Sequence, residues 1–323
     1  MTRQQRQALD SRLRSVTAPP DRASTAEMRA NFARFMGRFP VRTDVRQTST
    51  VLADRRAVLV EPVAGAQDNG CTIVYFHGGS FSLGSPETAM PVTSELVARS
   101  GVRALSLDYR LAPEHPFPAA IDDGVAAYRA LLEDGLDPAS IVFAGDSAGG
   151  GLAVTTSLAA RDAGLPGPAA IVAFSPGLDH TRSGASMRGK DGIDPFFSYA
   201  GLERSGDLYL DGQDPHQPLA APAVYADLTG LPPMLLQVGT NELLLDDAVR
   251  LAGRAREAEV DVILDVTSGV PHVFQVFIGD LDEAHHALDR AALFVRQQLN
   301  LPTARESILQ GAPRRTWAPP ASY

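Results

Sequence analysis

The chain has 323 residues, of which 44% are hydrophobic and 21% charged, with 28 glycines and 24 prolines. That composition excludes disordered and fibrous classes, and a chain of this length buries roughly three-quarters of its unfolded surface without a metal or disulfide staple. The single Cys71 cannot close an internal disulfide, no stretch approaches the roughly 18 apolar residues of a membrane span, and a net charge of −9 argues against a nucleic-acid partner.

Residues 1–56 carry twelve arginines against five acids, whereas the remainder carries seventeen basic residues against thirty-three acids. The opposite signs predict that the first segment lies against the rest of the molecule, although solvated helical faces account equally well for many of these arginines. The start of the chain runs into no apolar signal region, so a cytoplasmic location is expected. Residues 1–46 read as two helices. Ser24 and Glu27 have capping-box spacing, and Met28, Phe32, Phe35, Met36 and Phe39 then share one face before Pro40.

From about residue 57, short apolar runs alternate with helical patterns. The runs are Cys71–Phe76, Val102–Tyr109, Ser140–Gly145, Ile171–Ser175, Met234–Gly239 and Val260–Val266. Helix-like stretches between them include Thr93–Arg99, Asp122–Glu133, Gly150–Ala163, Asp246–Ala258 and Glu283–Leu299. This alternation predicts an α/β architecture, a mostly parallel central sheet flanked by helices, with its site at the carboxyl ends of the strands.

Directly after the first run stands His77-Gly78-Gly79-Ser80-Phe81. Consecutive glycines past a strand end can aim backbone N–H groups at one point, as stabilisation of a tetrahedral oxyanion requires. With the amide that follows a nucleophile, this predicts donors at Gly78, Gly79 and Ala148. His77 is expected to shape the loop.

Gly145-Asp146-Ser147-Ala148-Gly149 fits G-x-S-x-G and sits between an apolar strand and a helix rich in small residues. A serine on such a turn is held in a strained conformation with its hydroxyl exposed, while the helix N-terminus favours developing negative charge. Ser147 is the predicted nucleophile. A dinucleotide-loop reading fails because the third glycine position of G-x-G-x-x-G falls on Val154.

The segment His180–Pro222 interrupts the alternation and holds the aromatic cluster Phe196, Phe197 and Tyr199. It reads as a second addition to the sheet, either a lid or ordinary packing. After Met234–Gly239, Glu242 is the first carboxylate and the preferred acid, with Asp246 as the alternative at the start of the next helix. His272 follows the last strand and is the predicted base. His285 and His286 are adjacent, so they cannot form an i, i+4 metal pair, and no metal or cofactor is expected. Beyond Leu301 a proline-containing tail with Trp317 is expected to be disordered or docked on a neighbouring subunit.

Together His77-Gly-Gly, the Asp108-Tyr-Arg-Leu-Ala-Pro-Glu-His-Pro run, Gly145-Asp-Ser-Ala-Gly-Gly, Gly230-Leu-Pro-Pro and Pro271-His-Val-Phe resemble the hormone-sensitive-lipase-like esterases of the α/β-hydrolase fold, over about residues 40–300. The resemblance implies carboxylic ester hydrolysis, a helical cap and frequent homodimers. It divides the chain into cap helices (1–46), a catalytic domain (47–300, with an inserted cap segment at 180–222) and a tail (301–323). The chain departs from the family where aspartate-proline is usual, at Glu242-Leu243, and where a third loop glycine is usual, at Ser80.

The expectation is therefore a serine carboxylesterase with Ser147, Glu242 and His272 as its triad, acting on small short-acyl esters or, alternatively, lactones. Phe196, Phe197, Leu243 and Phe274 are candidate pocket walls. A non-catalytic binding protein on the same fold is the rival reading. Membrane-surface binding by the N-terminal helix is a further possibility.

Overall fold

The computed structural model describes residues 3–15, 23–63 and 69–302. The predicted tail with Trp317 lies outside them. Two N-terminal helices, α1 (Arg3–Arg14) and α2 (Thr25–Met36), precede the sheet. The capping box at α2 is formed, with Glu27 N–H donating to Ser24 Oγ and Ser24 N–H to Glu27 Oε2.

Eight strands follow: β1 (Val45–Leu52), β2 (Arg55–Pro62), β3 (Thr72–Phe76), β4 (Arg103–Leu107), β5 (Ile141–Asp146), β6 (Ala170–Phe174), β7 (Met234–Gly239) and β8 (Val262–Thr267). They form one sheet in the order β1-β2-β4-β3-β5-β6-β7-β8. The β1–β2 hairpin and the β2–β4 pair are antiparallel, and the remaining pairs are parallel. Every residue of β3, β5, β6 and β7 is buried, as strands covered by helices on both faces must be.

Alternate side chains divide the core. Val74, Phe76, Phe143, Ile171 and Leu236 pack on one face with helices α4 (Ala119–Glu133), α5 (Ala148–Asp162) and α9 (Leu245–Glu257). Ile73, Tyr75, Val142, Val172 and Leu235 pack on the other with α3 (Pro86–Ser100) and α10 (Asp282–Gln298). Helix α3 begins seven residues before the predicted Thr93, because Pro86 occupies a first-turn position that needs no amide donor. Between β6 and β7 the inserted segment carries three helices, α6 (Ser186–Gly189), α7 (Tyr199–Leu210) and α8 (Pro222–Tyr225).

The basic N-terminal segment does meet the acidic body. Arg6 Nε donates to Glu283 Oε1 at 2.7 Å, Arg12 Nη1 to Asp280 Oδ1 at 2.9 Å, and Arg29 holds both Glu114 carboxylate oxygens. Leu9 and Leu13 of α1 join the core. The aromatic face of α2 reaches the inserted segment, with Phe35 6.0 Å from Phe196 between ring centroids, while Phe39, just after α2, lies 5.3 Å from Phe277, beyond β8.

Candidate active site

Strand β5 ends in a turn that forces Ser147 to φ 54° and ψ −120°, a region costly for any residue with a Cβ. The flanking glycines make the turn possible. A Cβ on Gly145 would stand 2.3 Å from the Gly149 carbonyl oxygen, and one on Gly149 would stand 2.0 Å from that of Phe76. Ser147 N–H donates to Phe174 O at 2.8 Å, and its carbonyl accepts from Gly151 and Gly177. Strained backbone is thus pinned from three sides, and the side chain faces a cavity of about 60 Å³ lined by Ser80, Phe81, Ala148, His180, Arg182 and Phe197 among others.

His272 lies beyond β8, just before a short 3-10 turn (Phe274–Val276). Its Nδ1 is 2.8 Å from Glu242 Oε2, and the pair is buried. A carboxylate only accepts, so Nδ1 carries the proton and Nε2 is the basic nitrogen of the neutral ring. The second oxygen, Glu242 Oε1, accepts from the Ser175 hydroxyl at 2.8 Å and from Gly239 N–H. Ser175 Oγ in turn accepts from Val273 N–H at 3.0 Å. Burial opposes the charged imidazolium, but the Glu242 hydrogen bond and charge, aided by Asp194 and Asp146, outweigh it and hold His272 above its ordinary value.

His272 Nε2 is buried without a hydrogen-bond partner among the described residues. Of the two links of a serine–histidine–carboxylate relay, the histidine–carboxylate link is closed. The link to Ser147 Oγ is open, a looseness common before substrate arrives. Asp246, the alternative acid, is engaged elsewhere: its Oδ2 accepts from Ser186 N–H at 2.8 Å and ties α9 to α6.

The loop after β3 packs tightly against the end of β5. A Cβ on Gly78 would stand 2.2 Å from Asp146 Oδ2, so only glycine fits against the end of β5 there. Ser80, with φ 52°, and Phe81 are loop residues on the cavity wall that Ala148 also lines. Gly79 adopts φ 123°, which only glycine takes without strain. Burial pushes the Asp146 carboxyl up to about 6, against the stabilising hydrogen bond from Tyr75. His77 supports the loop from within, stacked on Tyr109 at 4.2 Å and pushed down to about 4 by burial.

Of the four predicted wall residues, Phe197 lines the cavity and sits 4.8 Å from the His272 ring. Phe196 turns to Phe35 and Phe277, Phe274 is fully buried in the core beside α10, and Leu243 is fully buried with Met187 and Leu244. Adjacent residues face opposite ways on extended or turning backbone, which spacing alone could not apportion. Sequence reasoning missed Phe81, His180 and Arg182 as walls; Phe81, next to the glycine loop, carried the one usable signal.

No group of three or more His, Cys, Asp or Glu side chains able to hold a metal occurs among the described residues. Nor is any helix among them long and apolar enough to cross a membrane.

A strained serine after a buried strand, a histidine–carboxylate pair on the last two strand ends and a glycine loop after β3 define an α/β-hydrolase, and a family model described by the alpha/beta hydrolase fold matches residues 73–276. A solved esterase from the bacterial hormone-sensitive lipase family superposes with a TM-score of 0.87 at 40% identity, covering 93% of this chain and 99% of that one. An acetyl-hydrolase of Streptomyces hygroscopicus is 45% identical over 73% of this chain and 79% of its own length. An esterase of Acinetobacter venetianus is 36% identical over 79% and 84% respectively. The chain belongs to the hormone-sensitive-lipase-like esterases and is a carboxylic ester hydrolase.

Proposed function

We propose that the protein is a serine carboxylesterase acting on small, short-acyl esters through an acyl-enzyme. Ser147 Oγ attacks the ester carbonyl carbon while His272 Nε2 takes its proton. The tetrahedral intermediate collapses, the carbon–oxygen bond to the alcohol breaks, and His272 returns the proton to the departing oxygen. Water then attacks the acyl-enzyme with the same base, releasing the acid and restoring the serine. Glu242 stays ionised and holds the imidazole in the required tautomer. The oxyanion is stabilised by amides of Gly78, Gly79 and Ala148.

The observation that carries this reading is the 2.8 Å His272–Glu242 pair with an unpartnered Nε2, next to a cavity that Ser147 lines. The cavity beside Ser147 is walled by Phe81, Met187, Phe197 and Leu202, an apolar lining that suits a small acyl group. The acetyl-hydrolase relative supports the same preference. Ser147→Ala in folded protein is expected to abolish the acylation burst with an aryl acetate; an unchanged burst would overturn the mechanism. A series of aryl esters from acetate to decanoate, run beside a lactone panel, tests the substrate. Turnover rising toward long chains would refute the small-acyl reading.

A further inference from the structure

Asp194 is buried in the inserted segment, 5% exposed, and its carboxylate is taken up entirely by main-chain donors. Oδ1 accepts from Phe196 N–H at 2.8 Å and Phe197 N–H at 3.1 Å, while Oδ2 accepts from Leu243 N–H at 2.9 Å. The first two amides belong to the inserted segment, and the third belongs to the residue after Glu242. Phe197 also contacts the His272 ring edge to face and forms part of the cavity wall. Upstream, Arg14 of α1 donates to the carbonyls of Gly192 and Ile193, immediately before Asp194.

From this geometry we propose that Asp194 is a positioning residue for the site: one buried carboxylate clasps the Glu242 loop to the segment carrying Phe197, fixing together the acid that orients His272 and the wall that packs on it. The inference rests on the serine-esterase reading. A neutral side chain could satisfy some of these donors, but only a carboxylate accepts on both oxygens from three amides without presenting a donor of its own. Burying the charge is costly, and the His272 charge and the Leu243, Phe196 and Phe197 amides offset that cost only in part. Three carboxylates face His272: Glu242 by hydrogen bond, and Asp194 and Asp146 through space. Removing the charge of Asp194 therefore weakens the stabilisation of the imidazolium as well as loosening the clasp.

The test is Asp194→Asn assayed on p-nitrophenyl acetate, with rates expressed per titrated active site. Its amide NH₂ confronts at least one backbone N–H. Expected are a fall in kcat on the order of 10- to 100-fold and an acid limb of kcat/KM displaced to lower pH. A lower Tm with kcat per site and the limb both unmoved would reduce Asp194 to a fold-stabilising role and overturn the proposal. A second measurement needs no variant: hydrogen exchange in the wild type is expected to find the Phe196, Phe197 and Leu243 amides protected. Free exchange at Phe197 and Leu243 would overturn the clasp even if Asp194→Asn fails to fold. Turnover retained by Ser147→Ala would instead sink the underlying esterase mechanism, a separate outcome.

Discussion

Ser175 and Glu242 are joined by a 2.8 Å hydrogen bond between two fully buried side chains, and the same hydroxyl oxygen accepts from Val273 N–H. The end of β6 thus braces the candidate acid on one side and the backbone beside the candidate base on the other. Ser175 pays for this with a left-handed φ of 47°. Ser175→Ala leaves Val273 N–H orphaned and Glu242 Oε1 with one donor fewer. The expected cost is about 1–3 kcal/mol of stability together with a loss of kcat on the order of tenfold, read by denaturant melts and steady-state kinetics. Unchanged kcat would mean that Glu242 is held adequately by Gly239 alone.

The two candidate acids separate cleanly by substitution. Glu242→Gln keeps the shape but removes the charge that favours the Nδ1-protonated tautomer, so kcat is expected to fall by about 10⁴. Asp246→Asn disturbs only the tie between α9 and Ser186, and is expected to lower Tm by a few degrees while leaving kcat within about threefold. Kinetics and thermal melts on the two purified variants decide the matter; the reverse pattern would assign the acid to Asp246.

In the proposed mechanism the acid limb of kcat/KM reports neutralisation of His272 in the free enzyme. Glu242, Asp194 and Asp146 together hold the imidazolium above its ordinary range despite burial. Activity is therefore expected to rise with pH through a midpoint above 6.5, the value of an unperturbed imidazole. A midpoint below that value would show desolvation winning over the three carboxylates.

How far these features could be read in advance depended on whether they are local. Strand β7 is predicted at its observed bounds because its six buried residues read as an apolar run broken only by Gln237, whose amide is paired with Asp265, Gln275 and the Ala287 carbonyl. Ser147 and Glu242 stand out as candidates for a similar reason: each is the first residue of its kind past a buried strand. Strand β1 was not legible. Most of its residues are exposed at the sheet edge, and its hairpin turns on Ala53 and Asp54, both at positive φ, without the glycine that usually marks such a turn. Phe196 and Phe197 are neighbours whose fates are decided by α2 and His272, neither of which sequence spacing could bring to them.

Asp247, immediately after that second candidate acid, carries a pH dependence of its own. Its side chain is fully buried and accepts from Leu178 N–H at 2.8 Å and Asp179 N–H at 3.1 Å. Burial pushes its carboxyl up to about 8, helped by the nearby Asp179 charge and opposed by those amides and Arg250. The folded value lies above the unfolded one, so between about 4 and about 8 the native state binds more protons than the unfolded chain. Stability from this group is therefore greatest at the acid end of that window and declines as pH rises through it. Asp247→Asn keeps an oxygen for both amides and cannot ionise. The wild-type Tm is expected to fall between pH 6 and 9 by several degrees more than that of Asp247→Asn, so the two melting curves diverge with increasing pH. Parallel curves across that range would show that Asp247 is already ionised in the folded protein, with Arg250 as its effective counter-charge.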